Sequence, residues 1–532
     1  MDKFKQLERA FAEGRISRRE FMIAASAIGA GVAASGLILP KGAHAATPKK
    51  GGRLRIGTAG GNTTDSLDPA TYTDTYMLTV GFSTHNTLTN MSPKGVVEGD
   101  LAESWEPSPD AKSWTFKLRK GVEFSNGKEL TAHDVIATMN HHRGEESKSA
   151  AKSIVDPIVE MKAEDKHTVT FVLKNGNADF PYLMLDYHLL ILPADEDGNV
   201  NWQDYVGTGG YTLAEHEAGV RTLLKRNPNY FKEDAAWADE IEIIHIKDAN
   251  SRQNALTTGE VDAINRVDLK TVHLLQRASD IRILEETGYL HYTAPMLTDV
   301  APFDDNNVRM AIKHAVNREA LVETILRGHG IVGNDTPISP SVPFYADLEQ
   351  RTYDPDKAKW YLKQAGMSEL KVDLSTSEAA FAGAVDASVL IKEQAAKANI
   401  DINLVREPED GYWSNVWLKK PWCMCYWGGR PTCDWMFTTA YAEDSNWNDT
   451  HWEHERFNKL LIQARAELDT AKREEMYREM QELVRDEGGV VVFAFANYVM
   501  ASGPRAGIPE EIASNWEFDG GRIGDRWWVE DS

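Results

Sequence analysis

Three cysteines, Cys423, Cys425 and Cys433, fall close together in the chain and are the first residues to weigh for metal or redox chemistry. Their number is odd, and a secreted disulfide scaffold carries more cysteines, more widely spread. Cys423 and Cys425 stand two apart on an expected strand, so they share a face without bridging geometry. Small buried thiols are the expectation. His451 and His454 have the H-x-x-H spacing that puts two imidazoles on one helical face, but no third ligand accompanies them. His141 and His142 would point apart on a helix. No G-x-x-x-x-G-K-[ST] loop, H-E-x-x-H pair or G-x-S-x-G elbow occurs in the sequence. Gly207-Thr208-Gly209-Gly210 looks like half a dinucleotide loop. It lacks the third spaced glycine and runs into the β-like Tyr211-Thr212-Leu213, so a tight turn is expected. No catalysis, cofactor or metal is expected from these motifs. What remains is aromatic: Tyr412, Trp413, Trp417, Trp422, Tyr426, Trp427, Trp435 and Trp447 crowd one stretch, with Arg430 among them. Such a box stacks on rings or holds an ammonium, and a zwitterion would engage the arginine and the aromatics together.

The elements that position these residues read as α/β. Arg53 to Gly57 alternates as a strand after Gly51-Gly52. Trp114, Phe116 and Leu118 alternate in the same way, and Val122 with Phe124 reads as a second strand beyond Gly121. Thr131 is placed to cap a helix over Ala132-His133-Asp134. Strands are expected again at residues 168–173, 221–225 and 241–246. A long helix is expected over 308–327, with Val308, Ala311, Ile312, Ala315 and Val316 as its apolar stripe. Residues 456–487 read as two helices broken at Asp469-Thr470, and Val490 to Phe495 as a buried strand. No repeat of fixed period appears.

The chain has 532 residues, too many for one hydrophobic core, so two or more lobes are expected. Its N-terminus carries Ser17-Arg18-Arg19-Glu20-Phe21-Met22, the form of a twin-arginine export motif. A weakly apolar stretch, 23–39, and Ala43-His44-Ala45 follow, which predicts cleavage between Ala45 and Ala46. Residues 1–45 thus read as a signal peptide and the mature protein as a freely diffusing one, with no cysteine at its start to take a lipid. A periplasmic location and the twin-arginine export machinery as a partner follow. The formal net charge is −23. It becomes more negative once the signal, with seven Lys/Arg and four Asp/Glu, is gone. Phosphate backbones and anionic membranes are repelled by such a field, so neither is an expected partner.

Several stretches, in order along the whole mature chain, resemble one family: the large extracytoplasmic solute-binding proteins of peptide, nickel and oligosaccharide ABC importers (family 5). They are Gly51-Gly52-Arg53-Leu54 with Ser66-Leu67-Asp68-Pro69-Ala70, then Leu101-Ala102-Glu103-Ser104-Trp105 through Trp114 to Phe124, and Gly127 to Val135. Gly207 to Tyr211, Arg226-Asn227-Pro228-Asn229-Tyr230, Pro302 to Asp305 with Val308 to Ile312, and the segments from Phe457 onward match as well. The resemblance implies a two-lobed periplasmic binding protein fold with mixed sheets, a hinge and an extra subdomain in lobe I. Lobe I would span 46–290 with the insertion at about 90–200, lobe II would span 291–500, and 501–532 would return to lobe I. It also implies a monomer that binds a small molecule or peptide between closing lobes and delivers it to ABC permease subunits in the inner membrane.

In peptide-binding members, a Trp-x-x-Asp segment supplies the carboxylate for the peptide ammonium. Here the segment is Trp427-Gly428-Gly429-Arg430, which reverses the charge. An enclosed guanidinium takes a ligand anion or an internal partner such as Asp434. Thr293 replaces a usual Asn beside Tyr292, near the crossover between lobes. The expected ligand-binding set is therefore Trp427, Arg430, Asp434, Trp447, Tyr292 and Thr293. The alternative within the family is a nickel or metal-chelate binder, with His291 or His451 in contact; the alternative outside it is an exported enzyme.

Overall fold

The computed structural model describes residues 48–530 apart from Thr73, Lys148 and 409–411. The twin-arginine motif and the Ala45/Ala46 site lie outside the described residues.

Alternation of apolar residues builds the largest sheet. Arg53–Thr58 buries Leu54 and Ile56 completely and pairs in parallel with Glu240–His245, whose Ile241 and Ile243 point into the same core. Arg221–Arg226 and Tyr211–Glu217 extend this side in antiparallel fashion. On the other side come Ala263–Ile264, then Val490–Ser502, Arg282–Pro295 and Cys425–Trp427. The helix Thr75–Thr84 and the C-terminal Phe518, Ile523 and Trp527 cover the first half of the sheet.

Two strands, Arg282–Pro295 and Val490–Ser502, run antiparallel through the sheet and belong to both lobes. One end of the pair packs with Ile264, Val267 and Leu275, while Ala294, Val491 and Phe493 sit in the second lobe's core. Between Thr287 and His291 the register slips, so that the first strand carries extra residues at the passage. Gly288 occupies this bulge: a Cβ there would stand 2.2 Å from the Tyr498 ring and 2.8 Å from the Ser514 carbonyl oxygen.

A separate four-stranded antiparallel sheet holds Ala102–Pro107, Ser113–Leu118, Thr168–Leu173 and Ile158–Asp165 around Trp114, Phe116, Phe171 and Phe180. The helix Ala132–His141 starts where expected, with the Asp134 carboxylate accepting from the Thr131 N–H and hydroxyl at 2.8 Å. Val122 and Phe124 are buried, but they flank a turn with one isolated bridge, Glu123 to Glu129, and form no strand. The helix expected over 308–327 is two helices, Asn306–Ala315 and Arg318–Thr324. Val316 is extended, and Asn317 caps the second helix by accepting from the Ala320 N–H at 2.9 Å. The Asp469 break holds in the same way, its carboxylate accepting from the Lys472 N–H.

Candidate functional site

A cavity of about 1640 Å³ opens between the two lobes. Its floor is the sheet passage itself, with Tyr289, Leu290, Tyr292, Asn497 and Tyr498 facing it. Pleating decides which floor residues reach the ligand space. Tyr292 points in and stacks on Phe381 at 4.0 Å, whereas the next residue, Thr293, points away and is fully buried opposite Cys425. The short strand Cys425–Trp427 does the same: Tyr426 is 42% exposed and faces the cavity, while Cys425 and Trp427 are buried behind it.

Charge is distributed unevenly over the walls. Three arginines line the cavity. Arg266 pairs with Glu517 at 3.1 Å, and Arg465 pairs with Asp434 at 3.0 Å. Arg430 has no carboxylate within ion-pair distance among the described residues. Its Nη1 donates to the Gly429 carbonyl oxygen at 2.7 Å, and its guanidinium lies 5.6 Å from the Trp435 ring centroid. Burial pulls the Arg430 pKa below the usual guanidinium value, and Asp186 and Tyr187 of the opposite wall act against that shift. The internal partner expected for Arg430 is thus engaged elsewhere, because Asp434 pairs with Arg465 instead. Asp434 is buried at the edge of the cavity, and burial pushes its carboxyl up to about 6 despite Arg465.

The opposite wall carries Asp186, Tyr187 and His188, none of which sequence reasoning singled out. Asp186 accepts from His188 Nδ1 at 2.6 Å, and His188 Nε2 lies 2.8 Å from the Tyr72 carbonyl oxygen. Burial disfavours the imidazolium, but Asp186 and Tyr72 more than offset it, so the His188 pKa is raised. Tyr187 packs edge-on against Trp516 at 5.5 Å.

The middle of the chain, residues 96–449, matches the model of bacterial extracellular solute-binding proteins, family 5 Middle. The chain belongs to this family. It is 26% identical over 439 residues to the dipeptide-binding protein of Escherichia coli (strain K12), covering 74% of this chain and 80% of that one. Among solved structures, it is similar to AgaA of A. tumefaciens R10 in complex with agropinic acid. That match has a TM-score of 0.73 and 24% identity over 90% of this chain and 99% of that one. It is also similar to NikZ of Campylobacter jejuni in complex with Ni(L-His), with a TM-score of 0.71 and 19% identity over 90% and 99% of the two chains.

In this family 5 protein, then, Arg430, Asp434, Trp447 and Tyr292 meet at the interlobe cavity, while Trp427 and Thr293 stand behind its wall. Trp427 sends its indole N–H to Asp449 at 3.0 Å instead. His291 is fully buried, with Nδ1 2.9 Å from the Tyr289 carbonyl oxygen, and does not line the cavity. His451 pairs with Asp299, and His454 pairs with Glu487. Among the described residues, no group of three His, Cys, Asp or Glu is arranged to hold a metal ion.

Proposed function

We propose that this solute-binding protein is the substrate-binding component of an ABC importer, capturing an acidic or zwitterionic solute between two closing lobes. The observation that carries the solute class is Arg430, a cavity guanidinium with no carboxylate of its own, beside two arginines that each have one. Placing a carboxylate, sulfonate or phosphate against it supplies the charge-assisted hydrogen bonds its fork is shaped for. Tyr187 faces it from the other lobe, so an anion held there ties the two walls together. Closure turns on the 287–291 bulge, where the paired strands pass between lobes. The protein is exported by the twin-arginine route, cut near Ala45/Ala46, and works as a periplasmic monomer that hands its cargo to inner-membrane permease subunits. It binds and releases its solute unchanged.

The test is mass spectrometry of the solute released from protein purified without refolding. An anionic or zwitterionic small molecule is expected, and Arg430→Ala should weaken its binding by roughly tenfold to a hundredfold. A released dipeptide bound equally well by Arg430→Ala would sink the reading, and a bound nickel chelate would move the protein to the metal-uptake class.

A further inference from the structure

Asp449 does not line the interlobe cavity, yet it organises the wall. Its Oδ2 accepts from two indoles at once, Trp417 Nε1 at 3.1 Å and Trp427 Nε1 at 3.0 Å. Both indoles pack against Trp447, with ring centroids 6.1 Å apart in each pair. Trp447 is 48% exposed and, with Tyr426, forms the cavity-facing layer. The carboxylate behind this layer is 2% exposed, the Cys425 thiol lies beside it, and among the described residues no group donates to its Oδ1 with hydrogen-bond geometry. No Lys, Arg or His pairs with it among the described residues, so the charge is unneutralised.

An enclosed carboxylate without a cation is costly, and a neutral acceptor would hold two indole N–H groups as well. In a low-dielectric wall, however, its field is weakly screened and adds to the negative faces of the rings in front of it. We infer that Asp449 is a specificity-determining residue: the buried anion makes the Trp447–Tyr426 face the seat for an ammonium group of the ligand. The assignment rests on the proposed reading of Arg430, which takes the ligand's anionic end.

The test uses matched probes: ω-trimethylammonio carboxylates of increasing chain length and their tert-butyl carbon isosteres, which keep the carboxylate and shape but lack the positive charge. Titration calorimetry on the mature protein should show the ammonium member of at least one pair binding about tenfold tighter than its isostere. Asp449→Asn should erase that preference while leaving the isostere's affinity unchanged. Trp447→Leu, at a half-exposed side chain whose loss leaves the fold intact, should erase it too. A preference that survives Asp449→Asn, or a wild-type protein that binds both members of every pair equally or neither, overturns the inference. Arg430→Ala separates the two readings, because it should weaken both members of a pair alike. If it weakens neither while Asp449→Asn still removes the preference, the anion reading falls and the Asp449 assignment stands.

Discussion

A carboxyl group enclosed in protein without a cation beside it holds its proton more tightly than the same group in an unfolded chain. Burial pushes Asp449 up to about 6, with its indole donors acting the other way. The folded pKa lies above the unfolded one, so the folded state binds more protons between them. Its contribution to stability therefore rises as pH falls from about 6 toward the ordinary carboxylate range and is lowest at neutral pH. The Asp449→Asn variant does not titrate there. Its stability relative to wild type should be more favourable at pH 7.5 than at pH 4.5, by about 2 kcal/mol, measured by denaturant unfolding at both values. At this scale the sequence was partly legible. Arg430 stood out because its position in a Trp-led segment reversed an expected charge. Trp427 and Thr293 were chosen with it, but each is next to a residue that took the cavity face, and one-residue alternation admits only one of two neighbours. Asp186, Tyr187 and His188 had no periodicity to announce them, since they lie between elements rather than within one.

Elements were legible wherever a local rule governed them. The caps at Thr131 and Asp469 follow from side chains that accept backbone N–H groups, and the buried strand at 490 from its continuous apolar run. The break at Val316-Asn317 was not, because the apolar stripe continues across it and only the Asn317 cap marks the new start. The Gly207-Thr208-Gly209-Gly210 turn illustrates close approach rather than phosphate binding. A Cβ on Gly209 would stand 2.3 Å from the Thr84 carbonyl carbon and 2.5 Å from the His85 nitrogen. Both are backbone atoms that cannot swing aside. Gly209→Ala should therefore cost about 1–3 kcal/mol, read as a lowered thermal midpoint, with no change in what the protein binds.

Across the whole molecule the lobes touch at a second place besides the paired strands. Asp179, at the edge of the four-stranded sheet's core, pairs with Arg473 of the Thr470–Glu487 helix at 2.7 Å, and both side chains are buried. Arg473 also lies over Phe344 and Tyr477, at 4.9 and 5.4 Å. The Ala178 N–H donates to the Arg465 carbonyl oxygen beside it, at 2.7 Å. Arg473→Gln strands Asp179 without its cation and should cost about 3–5 kcal/mol of this contact. Solution scattering should then report a larger radius of gyration than for wild type, whereas an unchanged profile would mean that the clasp does not hold the lobes together. No sequence rule paired these residues, since 294 positions separate them. The two-lobed architecture itself was legible, through length and through motifs strung in order along the mature chain.

Cys423, Cys425 and Cys433 are all free and buried, and burial raises each thiol's pKa above its ordinary value. Thiolate is the reactive form, so at neutral pH the native chain should react only slowly with maleimides, which a labelling time course checks. Dye pairs can then be attached at cysteines introduced on the two rims of the cavity without first deleting the natural ones. The protein comes ready for single-molecule fluorescence of its own opening and closing.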